Sequence, residues 1–226
     1  GACAEGGDLF SFVMKQNGWT FNEALEELAR QAGVQLKPQS PEQVQQNEVR
    51  DRLRGLLKAT AEFFHEWLFN PKDPEAVATL HYARSKRGLT DDTLHRFQIG
   101  YAPAGWHHAL EALTALGYSE DDLIEAGVAS RNDQGRVYDR FRHRLMIPIR
   151  DERGRTVGFG ARALAPDDNP KYLNSAQSTL FDKSRLLFAL DLAGRSIRDS
   201  ETAVIVEGYL DAIQAHQAGY TNVVAQ

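Results

Sequence analysis

The sequence has 226 residues, of which 42% are apolar and 25% are charged, proportions that exclude a collagen-like or disordered chain. A chain of this length can bury a substantial core in one or two domains. It contains no run of about 18 apolar residues and no basic segment followed by an apolar one. We therefore expect a cytoplasmic protein with no membrane partner. The single cysteine excludes an intrachain disulfide.

The net charge of −5 conceals a basic middle region. From Arg131 to Arg198 there are 14 Lys and Arg against 8 Asp and Glu, a balance of +6, so the rest of the chain carries −11. A basic region within an acidic protein indicates either a face for a polyanion or an ordinary solvated surface. Charge alone leaves both interpretations open.

The first part of the chain is predicted to be a small helical unit followed by a linker. Asp8 is suited to cap a helix that runs to Lys15. Thr20, three residues before Glu23, predicts a capping box for a second helix. The apolar stripe of that helix would consist of Phe21, Leu25 and Leu28. The segment 37–47 is polar and contains two prolines and four glutamines, which predicts a linker and a domain boundary.

The region after the linker is predicted to be a helical layer. Apolar residues recur at helical spacing from Glu48 to about Phe69, and a second helix is predicted from Asp73 to Arg87. Thr90 is placed to cap a third helix. Two further segments, AGWHHALEALTALGY and SEDDLIEAG, are typical of helices that end at a glycine.

The pattern changes to strands in RFRHRLMIPIRDERGRTVGFGARAL, where residues 151–154 predict a hairpin turn. Alternation gives the first strand an apolar face made of Phe141, His143, Leu145, Ile147 and Ile149. Its other face would present Arg142, Arg144 and Arg150. In the second strand, Gly158, Gly160 and Arg162 would share one face, and Val157, Phe159 and Ala161 the other. Arginines beside glycines favour a face where a ligand approaches the backbone, although exposed sheet faces are often simply charged.

The segment VIVEGYLD near the end of the sequence predicts a buried parallel strand that ends in Glu207. Ligands of open α/β sheets bind outside the carboxyl ends of strands. A carboxylate at that position, followed by Gly208 and then Asp211, suits a Mg²⁺ site. Taken alone, the same pattern is more typical of a loop acid followed by a helix N-terminal charge.

Several segments, in this order, resemble the bacterial replicative DNA primases of the DnaG type. The most specific are RFRHRLMIPIRDERGRTVGFGARAL, PKYLNSAQSTLFDKSRLLFAL and VIVEGYLDAI. The resemblance continues upstream through RGLTDDTLHRFQIGYAPAGW to CAEGGDLFSFVM, so it covers essentially the whole chain.

The resemblance implies an α+β fold with four parts. Residues 1–36 would be the C-terminal part of a zinc-ribbon domain, and 37–47 the linker. Residues 48–202 would be the N-terminal subdomain of the polymerase core, in which a helical layer and an antiparallel hairpin region form a basic cleft. Residues 203–226 would open a Toprim subdomain with its first β-α-β unit.

The resemblance also implies roles for particular residues. Catalysis would depend on Glu207, Asp211, Lys171, Lys183 and Arg162. Nucleic acid or nucleotide would be bound by Arg87, Arg142, Arg144, Tyr172 and Asn174. Glu207 would help hold Mg²⁺ or Mn²⁺, and Cys3 matches one ligand of the family's Zn²⁺ site, whose other ligands this sequence lacks.

The activity implied by the resemblance is DNA-templated synthesis of short RNA primers from NTPs during replication. The implied partners are single-stranded DNA, NTPs, an RNA–DNA hybrid and a replicative helicase, and the implied location is the bacterial nucleoid. The Toprim pattern also needs an Asp-x-Asp downstream, which this sequence lacks, so we expect these 226 residues to be inactive alone. The alternatives are a non-catalytic single-stranded DNA-binding protein and another Toprim enzyme.

Overall fold

The structure is a computed structural model that describes residues 9–34, 40–165 and 168–226. The chain divides into two compact units, residues 1–47 and residues 48–226, each of which is described by itself. Asp8 and Cys3 lie outside the described residues. No helix in the described ranges has both the length and the apolar character needed to cross a bilayer.

Two helices of the first unit form where the sequence predicts them: α1 spans Leu9–Asn17 and α2 spans Phe21–Gln31. The capping box is present, since the Thr20 side chain accepts the N–H of Glu23 and Oε2 of Glu23 accepts the N–H of Thr20 at 2.7 Å. The predicted apolar stripe of α2 is only partly buried, because Phe21 is 52% exposed.

The predicted linker is partly helical. Helix α3 spans Pro41–Leu68 and therefore begins seven residues before the predicted start at Glu48. Its start has a local cause, because Ser40 and Gln43 exchange hydrogen bonds: the N–H of Gln43 donates to Oγ of Ser40, and the N–H of Ser40 donates to Oε1 of Gln43. Proline is favoured at the first position of a helix, so Pro41 marks the start rather than interrupting the helix.

The second unit contains the remaining helices, three of which begin at a side-chain cap. They are α4 (Pro74–Ser85), α5 (Asp91–Arg96), α6 (His108–Ala115), α7 (Glu120–Glu125), α8 (Leu190–Ser200) and α9 (Tyr209–Gln217). The side chains of Asp73, Thr90 and Ser119 accept backbone N–H groups in the first turns of α4, α5 and α7. A short 3₁₀ helix, η1, spans Lys183–Arg185. The sequence prediction of a helical layer is confirmed.

The strands of the second unit form three small sheets. The strands are β1 (Gly100–Ala102), β2 (Ala129–Arg131), β3 (Val137–Asp139), β4 (Arg144–Arg150), β5 (Thr156–Ala163), β6 (Tyr172–Asn174), β7 (Val204–Val206) and β8 (Val223–Ala225). The largest sheet is antiparallel with the order β1-β4-β5-β6, and β2 pairs with β3. The fold is therefore α+β, as predicted.

The hairpin of β4 and β5 is confirmed, but two irregularities change which residues share a face. His143 has a positive φ of 48° and β4 begins only at Arg144, so Phe141 does not share the face of Leu145 and instead packs with Met146. The register shifts where Ile149 pairs with Gly158 and Arg150 with Thr156. An extra residue in one strand reverses the alternation. Val157 accordingly packs on the opposite side of the sheet from Phe159 and Ala161.

Both faces of the β4–β5 hairpin are covered, which the alternation did not predict. Leu145, Ile147 and Ile149 join one hydrophobic cluster with residues of α4, α5 and α9. Met146, Phe159 and Ala161 join a second cluster with residues of α3, α6 and α7. The predicted arginine face of β4 is consequently not an exposed face, and every residue from Arg144 to Ile149 is buried.

The last segment forms the predicted parallel β-α-β unit, but the prediction of a buried strand before Glu207 is wrong, because Val204 is 43% and Ile205 is 61% exposed in β7. β7 pairs in parallel with β8, and α9 connects them. Ala225 exchanges two backbone hydrogen bonds with Phe188, at 2.8 and 3.1 Å. Leu210 and Ile213 of α9 belong to the same hydrophobic cluster as the hairpin. The β7-α9-β8 segment therefore packs directly against the larger sheet. This packing brings the carboxyl end of β7 close to β5 and β6.

Candidate functional site

A cleft of about 360 Å³ lies where β5, β6, η1, the carboxyl end of β7 and the start of α9 meet. Its walls contain six of the ten charged, polar and aromatic residues that the sequence analysis selected in the second unit: Arg87, Tyr172, Asn174, Lys183, Glu207 and Asp211. A second hollow of about 560 Å³ shares Asn174, Lys183 and Gln226 with this cleft. The tertiary structure thus brings together residues separated by up to about 120 positions in sequence.

The acidic end of the cleft is built from Glu207 and Asp211. Glu207 follows β7 directly and is exposed, and Asp211 lies in the first turn of α9. A Cβ atom on Gly208 would lie 2.6 Å from Oδ2 of Asp211, so the glycine leaves room for that carboxylate beside the backbone. Two carboxylates beside open space suit Mg²⁺, which binds one or two protein carboxylates together with substrate phosphates. In the described part of the chain no group of three or more acidic, cysteine or histidine residues could hold a metal.

The basic side of the cleft carries charges that are not neutralised. Arg87 and Lys183 line it, and Arg162 and Lys171 lie beside it on β5 and just before β6. None of these four cations forms an ion pair with a carboxylate among the residues that the structure describes. Cations without a carboxylate partner keep their attraction for an external anion.

Aromatic rings lie beside three of these cations, Arg87, Arg162 and Lys171. The Arg162 guanidinium lies 5.4 Å from the centroid of the Tyr82 ring and 5.9 Å from that of Tyr172. The Nζ atom of Lys171 lies 5.9 Å from the Tyr172 ring on the same strand region. Tyr172 is 58% exposed, so much of its surface remains accessible. This arrangement places Arg162 and Lys171 near the cleft without making them part of its walls.

The glycines of β5 make room for aromatic rings of this chain, and Gly160 also lines the cleft, where the approach of a ligand to the backbone stays a prediction. A Cβ atom on Gly158 would lie 2.9 Å from the Phe181 ring, and one on Gly160 would lie 2.6 Å from the Tyr209 ring. Burial raises the pKa of Tyr209, although a hydrogen bond with Asn174 acts in the opposite direction. Tyr209 therefore forms part of the cleft floor and connects α9 to β6.

Arg142 and Arg144 lie outside the cleft. Arg144 is only 6% exposed, its Nη1 donates to the carbonyl oxygen of Pro170 at 2.8 Å, and burial lowers the pKa of its guanidinium. Arg142 lies over the Trp106 ring, 4.1 Å from its centroid, and donates to the carbonyl oxygen of Asp139. The expectation that both present free guanidinium groups from an exposed face is wrong for Arg144, because β4 is covered on both sides.

Three residues at or beside the site, Tyr82, Tyr209 and Gln226, were not among the predicted site residues. Tyr82 lies on α4 among ordinary helix-forming residues, and no local pattern distinguishes it. Tyr209 belongs to the EGYLD segment that the analysis quoted, so its position in the motif was a usable signal. Gln226 lines both the cleft and the neighbouring hollow.

Comparison with known proteins agrees with the geometry. Residues 63–194 match the family described as the N-terminal domain of the DNA primase catalytic core, and residues 2–44 match the CHC2 zinc finger. A DNA primase from Deinococcus radiodurans is 41% identical over 227 residues, which cover 99% of this chain and 37% of that protein.

Two solved structures have the same fold over most of the chain. The RNA polymerase domain of Mycobacterium tuberculosis primase DnaG gives a TM-score of 0.72 at 37% identity, covering 78% of this chain and 56% of that one. A DnaG primase catalytic domain bound to single-stranded DNA gives 0.70 at 40% identity, covering 79% and 56%.

The matches define a chain with the fold of a primase catalytic core that follows a zinc-finger segment. It belongs to the bacterial DnaG-type DNA primase family. It spans 37% of the length of the Deinococcus relative.

The segment that matches the zinc finger contains one candidate zinc ligand, Cys3. Within residues 2–44, Cys3 is the single cysteine and there is no histidine. A structural Zn²⁺ site needs four Cys or His ligands. The residues present do not make up such a site by themselves.

Proposed function

We propose that this chain supplies the basic cleft and the first metal-binding acids for DNA-templated synthesis of RNA primers from NTPs. The observation that carries the proposal is the convergence of Arg87, Lys183, Glu207 and Asp211 on one cleft. Nucleotidyl transfer depends mainly on positioning the phosphates and stabilising their charge, which needs cations and acids side by side. The proposal places this activity in the bacterial cytoplasm.

The cations of the cleft would bind the triphosphate. Lys183 and Lys171 act as point charges, whereas Arg87 and Arg162 can hold a phosphate with two parallel N–H groups. Glu207 and Asp211 would hold Mg²⁺ or Mn²⁺, which polarises phosphoryl oxygens when it is bound. Asn174 and Tyr172 would contact the nucleotide or the template from β6.

The DNA template, the RNA–DNA hybrid and the replicative helicase remain part of the proposal through the family resemblance. Template contact is assigned to Arg142 and not to the buried Arg144. The DnaG catalytic domain similar to this chain was solved bound to single-stranded DNA, which supports a template role for the shared fold. Contacts with a phosphate backbone should weaken with salt and should not depend on base sequence.

The test is a titration of this chain with ATP by calorimetry, with and without Mg²⁺. We expect Lys183→Ala to weaken ATP binding by at least about tenfold, because a hydrogen bond to a charged group is worth about 1.5–3 kcal/mol. Glu207→Gln should remove the gain from Mg²⁺ and leave metal-free binding unchanged. Lys72→Ala, on an exposed turn outside the cleft, is the matched control.

Equal ATP affinity for Lys183→Ala and the wild type would contradict the assignment. A companion experiment titrates labelled single-stranded DNA with the wild type and with Arg142→Ala at several salt concentrations. It distinguishes the proposed primase function from that of a non-catalytic DNA-binding protein. DNA binding without any ATP binding would favour a non-catalytic DNA-binding protein.

A further inference from the structure

Tyr82, on the last turn of α4, contacts Arg87 at three places. The backbone N–H groups of Lys86 and Arg87 both donate to the carbonyl oxygen of Tyr82, at 2.9 and 3.2 Å. Nε of Arg87 donates to the Tyr82 hydroxyl at 2.6 Å, and the guanidinium carbon lies 5.4 Å from the ring centroid. Backbone and side chain of Arg87 are thus both fixed by one residue.

The same ring also contacts the second arginine of the site. The guanidinium carbon of Arg162 lies 5.4 Å from the Tyr82 centroid, and Tyr172 lies beside Arg162 as well. Nε of Arg162 is buried and finds no acceptor within residues 9–34, 40–165 and 168–226, while its Nη1 donates to the carbonyl oxygen of Ala163 at 3.2 Å. The rings are therefore the main contacts that orient this guanidinium.

An aromatic ring orients an arginine without cancelling its charge. A carboxylate partner would hold a guanidinium more strongly, but it would also occupy the N–H groups that a phosphate needs. The face of a tyrosine attracts a cation and leaves those N–H groups available. An arginine held in one rotamer also loses less conformational entropy when it binds, which raises its affinity.

We propose that Tyr82 is a positioning residue that holds Arg87 and Arg162 in the orientation that binds phosphate in the cleft. The inference rests on the proposed function of the cleft. It adds a residue that contacts neither metal nor phosphate and acts through the two arginines. Tyr82 itself is not among the residues that line the cleft.

The test uses inorganic tripolyphosphate as the ligand, without metal, in calorimetric titrations of the whole chain. Tyr82→Phe removes the hydroxyl acceptor and keeps the ring, and we expect it to weaken binding about two- to fourfold. Tyr82→Leu removes the acceptor and both cation–π contacts, and we expect about a tenfold loss. Tyr220→Phe, at an exposed tyrosine outside the cleft, is the matched control and should bind as the wild type does.

A double-mutant cycle separates positioning from a merely structural role. If Tyr82 acts through Arg87, then Tyr82→Phe should cause no further loss in an Arg87→Ala background. An equal loss in both backgrounds would overturn the proposal. Thermal unfolding of each variant identifies any loss that comes from unfolding.

The outcomes also distinguish this inference from the proposed function. If Lys183→Ala and Arg87→Ala weaken tripolyphosphate binding while Tyr82→Leu does not, the cleft assignment stands and the role of Tyr82 is refuted. If the folded wild type does not bind tripolyphosphate at all, both the cleft assignment and the role of Tyr82 are refuted.

Discussion

Gly160→Ala is expected to destabilise the second unit through a collision with Tyr209. The new Cβ atom would lie 2.6 Å from Cε2 and 2.8 Å from Cδ2 of that ring, whereas carbon atoms pack at about 3.5–4.0 Å. The ring must therefore move by roughly 1 Å. It packs against Phe188 with a centroid separation of 4.8 Å and bonds with Asn174, so it cannot move freely. Overpacking of this kind costs about 1–3 kcal/mol.

The assay is urea denaturation followed by circular dichroism, with Gly194→Ala as the matched control. Gly194 lies within α8, and the nearest atom to its added Cβ is Nη1 of Arg198 at 3.6 Å, an ordinary contact. That variant should gain about 0.5–1 kcal/mol, because alanine restricts the unfolded chain and favours helix. The two glycine variants should thus differ in sign.

The cause of the loss can be checked in a Tyr209→Ala background. Without the ring, Gly160→Ala should cost much less than it does in the wild type, since the atoms that it meets are gone. The reasoning is refuted if Gly160→Ala leaves the free energy of unfolding unchanged, or if its cost is the same with and without Tyr209.

Two further predictions concern the fold that supports the cleft. Gly100→Ala should lower the free energy of unfolding by about 1–3 kcal/mol, because its Cβ would lie 2.6 Å from the backbone carbon of Phe64, which cannot rotate away. Urea denaturation measures this loss, and an unchanged midpoint would contradict the prediction. Asp139→Asn should cost about 1–2 kcal/mol, because the buried carboxylate accepts the N–H groups of Ala109 and Leu110 at 2.9 and 2.8 Å, and an amide can accept only one of them. Burial raises the pKa of Asp139 in the folded state despite these bonds. Below about pH 4 the neutral acid can still accept N–H groups with both oxygens, which the NH₂ of an amide cannot, so the advantage of the wild type over Asp139→Asn should be fully present there and decrease as pH rises through the raised pKa. Denaturation of both proteins between pH 4 and 7 measures that trend, and a wild-type advantage that grows with pH would contradict it.

Local signals determined most of the helices and the hairpin. The Thr20–Glu23 capping box and the cap at Thr90 form as predicted, because capping depends on residues within one turn. The start of α3 at Pro41 also depends on neighbouring residues, because Ser40 and Gln43 exchange hydrogen bonds across the first turn. The helix was predicted to begin only at Glu48, because the polar composition and the two prolines of segment 37–47 are also typical of a linker.

The sequence motifs also selected the principal residues of the site. Lys183, Glu207 and Asp211 line one cleft, as expected from the family that the motifs resemble. What the sequence could not indicate is which arginines face that cleft. Arg144 alternates with apolar residues in the manner of an exposed face, yet it is 6% exposed.

Only the tertiary structure decided these points, because each depends on groups distant in sequence. Helices pack on both sides of the hairpin, so alternation along β4 carries no information about solvent. Gly160 is required because Tyr209, 49 positions later in the sequence, lies against it. The proposed role of Tyr82 depends in part on Arg162 of β5, which lies near its ring although it is 80 positions away in sequence. A sequence specifies its own turns and caps through neighbouring residues, whereas the orientation of a charge in a cleft is set by packing between separate elements.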